Sequence, residues 1–148
     1  GIHVRLETGA KKDGTLVALR AKIIGDSGPY ANIFPAVIGG TVELISGPYK
    51  FPHAQVDAYA VATNNLTSGG MRGFGTPEVA FAFEQNIDSL AKELGMDPIE
   101  FRLKNGMEKD TLMPSGAYIY DEIGLKETIT KAAEAANSDE PLSAFIPP

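Results

Sequence analysis

Cysteine is absent from all 148 residues. Disulfides, thiolate metal sites, iron–sulfur clusters and a cysteine nucleophile are therefore excluded within this chain. Histidine is nearly absent: His3 and His53 are the only two, too few for a three-histidine metal site. Basic charge is scarce. The formal net charge is −6, the pI is about 4.9, and Lys11-Lys12 is the only basic pair. Phosphate-backbone binding needs concentrated Lys and Arg, so a nucleic-acid partner is not expected. No apolar run approaches the roughly 18 residues that a membrane helix needs. No basic stretch leads into an apolar core at the start, so we read no signal peptide. A reducing, cytoplasmic compartment fits the missing cysteines.

What is present is ordinary globular composition, with 43% hydrophobic and 22% charged residues. A chain of this size buries roughly 70% of its unfolded surface and supports a real core. It opens at Gly1, directly in strand-like alternation, which leads us to expect a piece of a longer polypeptide.

Ile2, Val4 and Leu6 alternate with His3, Arg5 and Glu7, the period-two pattern of a half-buried strand. Lys12-Asp13-Gly14 is a turn signal, and Val17, Leu19, Ala21 and Ile23 alternate after it. The pair reads as a β-hairpin over 2–9 and 15–25. "GDSGPYA" from Gly25 is expected to break the strand. Ala31 to Ser46 reads as a short irregular helix around Pro35 and Gly39-Gly40, and Gln55 to Ala62 as a further strand. Thr76 is the expected cap of a long helix, with Pro77 in its first turn. Phe83, Ile87, Leu90 and Leu94 share one face of it, and Gly95 ends it. Asp97 and Glu100 have capping-box spacing around Pro98, and Asn105-Gly106 ends that helix. Ile123 to Ala136 reads as a last amphipathic helix with Leu125, Ile129, Ala132 and Ala136 on one stripe. The expected fold is α+β: a hairpin and a further strand in a small sheet packed by helices, with a helical C-terminal half in the order β-β-α-β-α-α-α. We expect one domain over 1–137 and a flexible tail over 138–148.

The most informative stretch is Ser68 to Glu78, "SGGMRGFGTPE". Four glycines permit close backbone approach, and the following helix start favours anions. Arg72 adds a planar donor fork and Phe74 a flat face. The combination suits a ligand that is anionic and planar. No Gly-Lys-Ser/Thr follows, so this is not a phosphate loop. Its glycines run GxxGxG from Gly70, which is not a dinucleotide fingerprint. Two plainer readings stay open on the residues alone. The stretch is a strand-to-helix turn, with Arg72 paired to a carboxylate and Phe74 in the core; or it belongs to a non-catalytic anion-binding or assembly module. Glu78 reads as a complement to the helix dipole and His53 as a surface loop residue. Tyr30 and Tyr49 read as packing anchors. Asp26 and Glu43 are carboxylates with no evident acid–base partner.

"TNN…MRGFGTPE" followed by "FEQNIDSLAKELGMDPIEFRLKN" resembles the molybdenum-binding subunit of the xanthine dehydrogenase and aldehyde oxidase family. "DGTLVALRAKIIGDSGPYA" and "GPYKFPHAQVDAYAVATN" resemble the segments that precede it there, so the likeness runs from about Gly9 to Ala136. The resemblance implies oxidative hydroxylation of an aldehyde or an N-heterocycle with water as the oxygen source. It implies a molybdenum–pterin cofactor, with iron–sulfur clusters and FAD on other domains or subunits. By the same resemblance Met71, Arg72 and the backbone of Gly73 lie against the cofactor, and Phe74 faces the substrate. Three features of the family are missing. The downstream catalytic glutamate motif and the upstream Gly-Gly-x-Phe-Gly motif are not in this chain, so no catalytic residue is expected in it. No Lys or Arg stands between Lys22 and Lys50, where the animal xanthine oxidoreductases carry a substrate-orienting arginine. A different heterocycle or an aldehyde is therefore as good a candidate as xanthine.

Overall fold

The computed structural model describes residues 1–136. Strand β1 (Ile2–Ala10) turns Ile2, Val4 and Leu6 inward and His3, Arg5 and Glu7 outward, as the alternation predicts. A turn at 11–15 closes with Lys11 N–H donating to Thr15 (2.8 Å) and Gly14 N–H to Lys11 (2.9 Å). Strand β2 (Leu16–Gly28) returns antiparallel to β1. It does not stop at Gly25 as expected. Helix α1 (Phe34–Leu44) packs directly over that position, and a Cβ there would meet Ile38 and lie 2.7 Å from the Phe34 ring. The glycine makes room for a helix and leaves the strand intact.

Helix α1 is shorter than the expected 31–46 and carries the chain across to β3 (His53–Ala62), which lies parallel to β2. The sheet order is β1-β2-β3. Helix α2 (Thr76–Leu94) crosses the inner face of β1, and α3 (Pro98–Asn105) and α4 (Leu125–Ala136) follow. The α+β class and the β-β-α-β-α-α-α order hold. Leu16, Leu19, Ala21 and Ile23 of β2 meet Phe34, Val37 and Ile38 of α1, Val79, Ile87 and Ala91 of α2, and Phe101 of α3 in one core. No helix of the described residues is long and apolar enough to cross a membrane.

Asp97 caps α3 by accepting from the Ile99 and Glu100 amides, and Gly95 closes α2 in the left-handed conformation at φ 67°. Asn105 is more than a helix end. Its buried amide accepts from Leu16 N–H (2.9 Å) and donates to the carbonyls of Gly14 and Phe101 (2.9 Å each). One side chain thus ties α3 to the hairpin turn. Arg102 clips α3 to α2 through Glu84 and Asp88, and the buried Tyr49 hydroxyl donates to the same Glu84. Burial and the Glu84 carboxylate push the Tyr49 phenol well above its ordinary range. Tyr49 is an anchor as expected; Tyr30 is not, being 71% exposed. Helix α4 starts at Leu125 and buries nothing fully. Ala133 takes its half-buried stripe with Leu125 and Ile129, while Ala132 and Ala136 face out. The expected tail over 138–148 lies outside the described residues.

Candidate functional site

Residues 63–75 connect the end of β3 to α2, and they are pinned at both ends. At the first end Asp26 on β2 accepts from Thr63 Oγ1, from Asn65 Nδ2 and from the Gly28 amide. Those three donors hold its carboxyl down at about 2. Asp26 is therefore a staple for the "TNN" segment. The backbone follows: Thr63 N–H donates to Gly28 and Ser68 N–H to Ser27, each at 3.0 Å.

At the second end the chain makes two interlocked turns. Phe74 N–H donates to Met71 and Thr76 N–H to Gly73, both at 2.9 Å. Gly73, Phe74 and Gly75 have φ of 94°, 49° and 93°. Three left-handed residues in succession require glycines on either side of the phenylalanine. This displaces the expected cap. Gly75 is the N-cap of α2, Thr76 is its first residue and Pro77 its second, and no side chain caps the end. Thr76 sits one position inside the helix, and the cap itself, Gly75, stands at φ 93°, a conformation that a β-branched residue adopts only with strain.

The loop is seated on α1. A Cβ at Gly75 would sit 2.6 Å from Thr41 Cγ2 and 2.8 Å from the Val37 carbonyl oxygen. One at Gly40 would sit 2.8 Å from the Phe74 carbonyl oxygen. The loop's own Gly70 closes on the Phe74 ring, whose Cε2 would be 2.9 Å from an added Cβ. The sequence reading missed α1 as part of this region; its signal was Gly39-Gly40 inside an otherwise apolar helix.

Met71, Arg72, Gly73 and Phe74 all reach solvent on this loop. Arg5 and Arg20 pair with Glu7, and Arg102 pairs with Glu84 and Asp88. Arg72, the remaining arginine, has no carboxylate partner among the described residues. The amides of Arg72, Gly73 and Gly75 donate to nothing among them either. The plain reading, with Arg72 paired to a neighbouring carboxylate, is not what the structure shows. An exposed guanidinium without a carboxylate partner, on the same turn as the exposed Arg72 and Gly73 amides just before α2, fits an anionic group. Phe74 is 38% exposed, so it is partly open to solvent while its ring edge packs on Gly70.

The other candidates lie elsewhere. His53 pairs with Ala18 at the far end of β3 from Ala62, about 30 Å along the strand from the loop. Glu78 lines a groove between β1 and α2 with Ile2, Val4 and Phe81. Glu43 is exposed near the last turn of α1. Among the described residues no cluster of His, Asp and Glu could hold a metal ion.

A model of the molybdopterin cofactor-binding domain matches residues 1–106, spanning the sheet, the loop, α2 and α3. The chain belongs to that family. The large molybdopterin subunit of nicotinate dehydrogenase from Eubacterium barkeri is 43% identical over 130 residues, covering 88% of this chain and 31% of that one. A probable xanthine dehydrogenase subunit from Bacillus subtilis is 40% identical over 113 residues, covering 76% of this chain and 15% of that one. Among solved structures, the aldehyde oxidoreductase of Desulfovibrio gigas superposes with a TM-score of 0.85 at 31% identity, covering 90% of this chain and 15% of that one. This molybdopterin-binding domain thus spans less than a third of the length of these relatives. Its cofactor class is the molybdenum–pterin group, as the resemblance implied.

Proposed function

We propose that this domain forms one wall of the active site of a molybdenum hydroxylase acting on an N-heterocycle or an aldehyde, with water as the oxygen source. The observation that carries this reading is the pairing, on one seated loop, of an unpartnered arginine with a half-open aromatic ring. Arg72 holds the anionic cofactor through its guanidinium fork, which matches oxyanions with two parallel N–H donors. Met71 and the Gly73 amide line the same wall. Phe74 presents its ring face to a planar substrate and restricts it to one plane. When bound, the molybdenum–pterin group supplies the two-electron oxidation. The domain shields the reacting centre from water on this side. We assign it no general base: Asp26, at the loop's start, has its carboxyl held at about 2 and its oxygens occupied by three donors, which leaves it a weak base. The base comes from the remainder of the molybdenum subunit, and electrons leave through iron–sulfur and FAD domains or subunits.

The test is made on the full-length polypeptide that carries this chain, produced where molybdopterin is made. The expected result is one molybdenum per polypeptide and transfer of ¹⁸O from labelled water to the product of an aldehyde or N-heterocycle. Metal-free protein from a cofactor-competent host, or product oxygen drawn from O₂, overturns the reading.

A further inference from the structure

Phe74 is the one residue of the left-handed trio that is not glycine, and a side chain there is strained. Such a conformation persists only where the surroundings over-determine it. The surroundings are two further glycines. At position 40 the Phe74 carbonyl oxygen occupies the space of a Cβ, at 2.8 Å, with Phe74 Cδ1 at 3.6 Å. At position 70 the ring edge occupies it, with Cε2 at 2.9 Å and Cδ2 at 3.1 Å. Backbone is held from one side and ring from the other. Neither contact leaves slack, since Cβ atoms are essentially never found closer than 3.0 Å to such neighbours.

Glycine weakens a helix interior relative to alanine, so two in succession in α1 call for a reason. Gly39 has nothing within 4 Å of its Cβ position. Gly40 has Phe74. The two neighbours share a helix and a propensity and differ in what they face.

We infer that Gly40 and Gly70 are positioning residues for Phe74, and that through it they set which substrate shapes the site accepts. This rests on the proposed role of Phe74 as the substrate wall. An added methyl at 40 pushes the Phe74 backbone out of its seat. One at 70 tips the ring while leaving the backbone where it is. In both cases the wall presented to a flat substrate changes its tilt. A small flexible substrate does not depend on that plane and is less affected.

The experiment compares Gly39→Ala, Gly40→Ala and Gly70→Ala in the full-length enzyme. Three quantities are read: molybdenum content, the φ and ring position of Phe74 in a crystal structure of each variant, and the kcat/KM ratio for benzaldehyde over propanal. Gly39→Ala should leave all three unchanged. Gly40→Ala should keep its metal, move the Phe74 backbone and lower the ratio by about tenfold or more, since small misplacements of a reacting group have effects of that order. Gly70→Ala should keep the φ, tilt the ring and lower the ratio as well. It also decides the question should Gly40→Ala fail to fold. Phe74 unmoved in both variants, or Gly39→Ala reproducing Gly40→Ala, overturns the inference. Phe74→Ala separates the two levels. If it lowers the ratio and the glycine variants do not, only this inference falls. If it leaves the ratio unchanged, the substrate-wall reading falls first.

Discussion

Arg72 and Arg102 are the same residue in opposite circumstances, and replacing each by alanine should separate function from folding. Arg72 is exposed and touches no carboxylate among the described residues. Surface substitutions of that kind change stability by no more than about 0.5 kcal/mol, or about 2 °C in Tm at this size. The Arg102 side chain is 19% exposed, with Nη2 2.6 Å from Glu84 and Nη1 2.7 Å from Asp88. Its loss removes two charge-assisted bonds and leaves Glu84 against a buried tyrosine, at about 2–3 kcal/mol and a Tm lower by about 5–10 °C. For the cofactor the order reverses. Removing a charge-assisted contact to a desolvated anion costs about 2–5 kcal/mol, which is roughly 30- to 4,000-fold in affinity. Arg72→Lys should restore only part, because a point charge does not reproduce the fork. Melting curves are taken on cofactor-free protein, since bound cofactor would itself raise Tm. Molybdenum is measured on the same preparations after exhaustive gel filtration. The reasoning is refuted if Arg72→Ala melts as low as Arg102→Ala, or if it keeps full molybdenum and normal turnover.

Phe74→Ala should keep molybdenum but lower kcat/KM about 100-fold for a planar ring substrate, and less for a small aliphatic aldehyde; equal losses in steady-state kinetics would make Phe74 a core residue. Asn105→Ala strands the Leu16 amide and the Gly14 carbonyl, and the urea midpoint should report a loss of about 3 kcal/mol. Glu108 accepts from Lys50 and Lys126, which lower its carboxyl from 4.5 to about 2. A lowered folded value stabilises fully above the ordinary one, so stability should fall as pH drops from about 4.5 towards 2, and Glu108→Gln should flatten that slope in acid titrations of the urea midpoint. Residues 1–148 expressed alone should retain no stoichiometric molybdenum by metal analysis if, as proposed, this domain forms only one wall of the site.

Periodicity carried most of the fold. The alternation of Ile2, Val4 and Leu6 and the spacing of Ile87, Leu90 and Leu94 are local signals, and local signals survive in one dimension. The misreadings have a common cause. Gly25 and Gly40 look like punctuation in the residue string, yet each is small because another element occupies the space: α1 over Gly25 and the loop against Gly40. A sequence shows that a side chain is missing, and only the fold shows what fills the gap. Thr76 failed as a cap for a related reason. The left-handed run is invisible in one dimension, because nothing local says that Phe74 joins its glycine neighbours at positive φ. The motif around Arg72 and Phe74 is what singled out this loop in the sequence. The seat that α1 provides was not legible there.

The parallel pairing of β2 and β3 also has a history in time. The hairpin of β1 and β2 closes across a short turn within microseconds. The other edge of β2 stays bare until α1 and the whole of β3 have been made, a few seconds at about 5–20 residues per second on the ribosome. For that interval a strand rich in Leu, Ala and Ile offers unpaired amides to any other nascent chain. Arg20, Lys22 and Asp26 stand on its outward face, interrupted only by Ile24. In the finished molecule Asp26 staples the loop and Arg20 pairs with Glu7; during synthesis the same charges are the guard on an open edge.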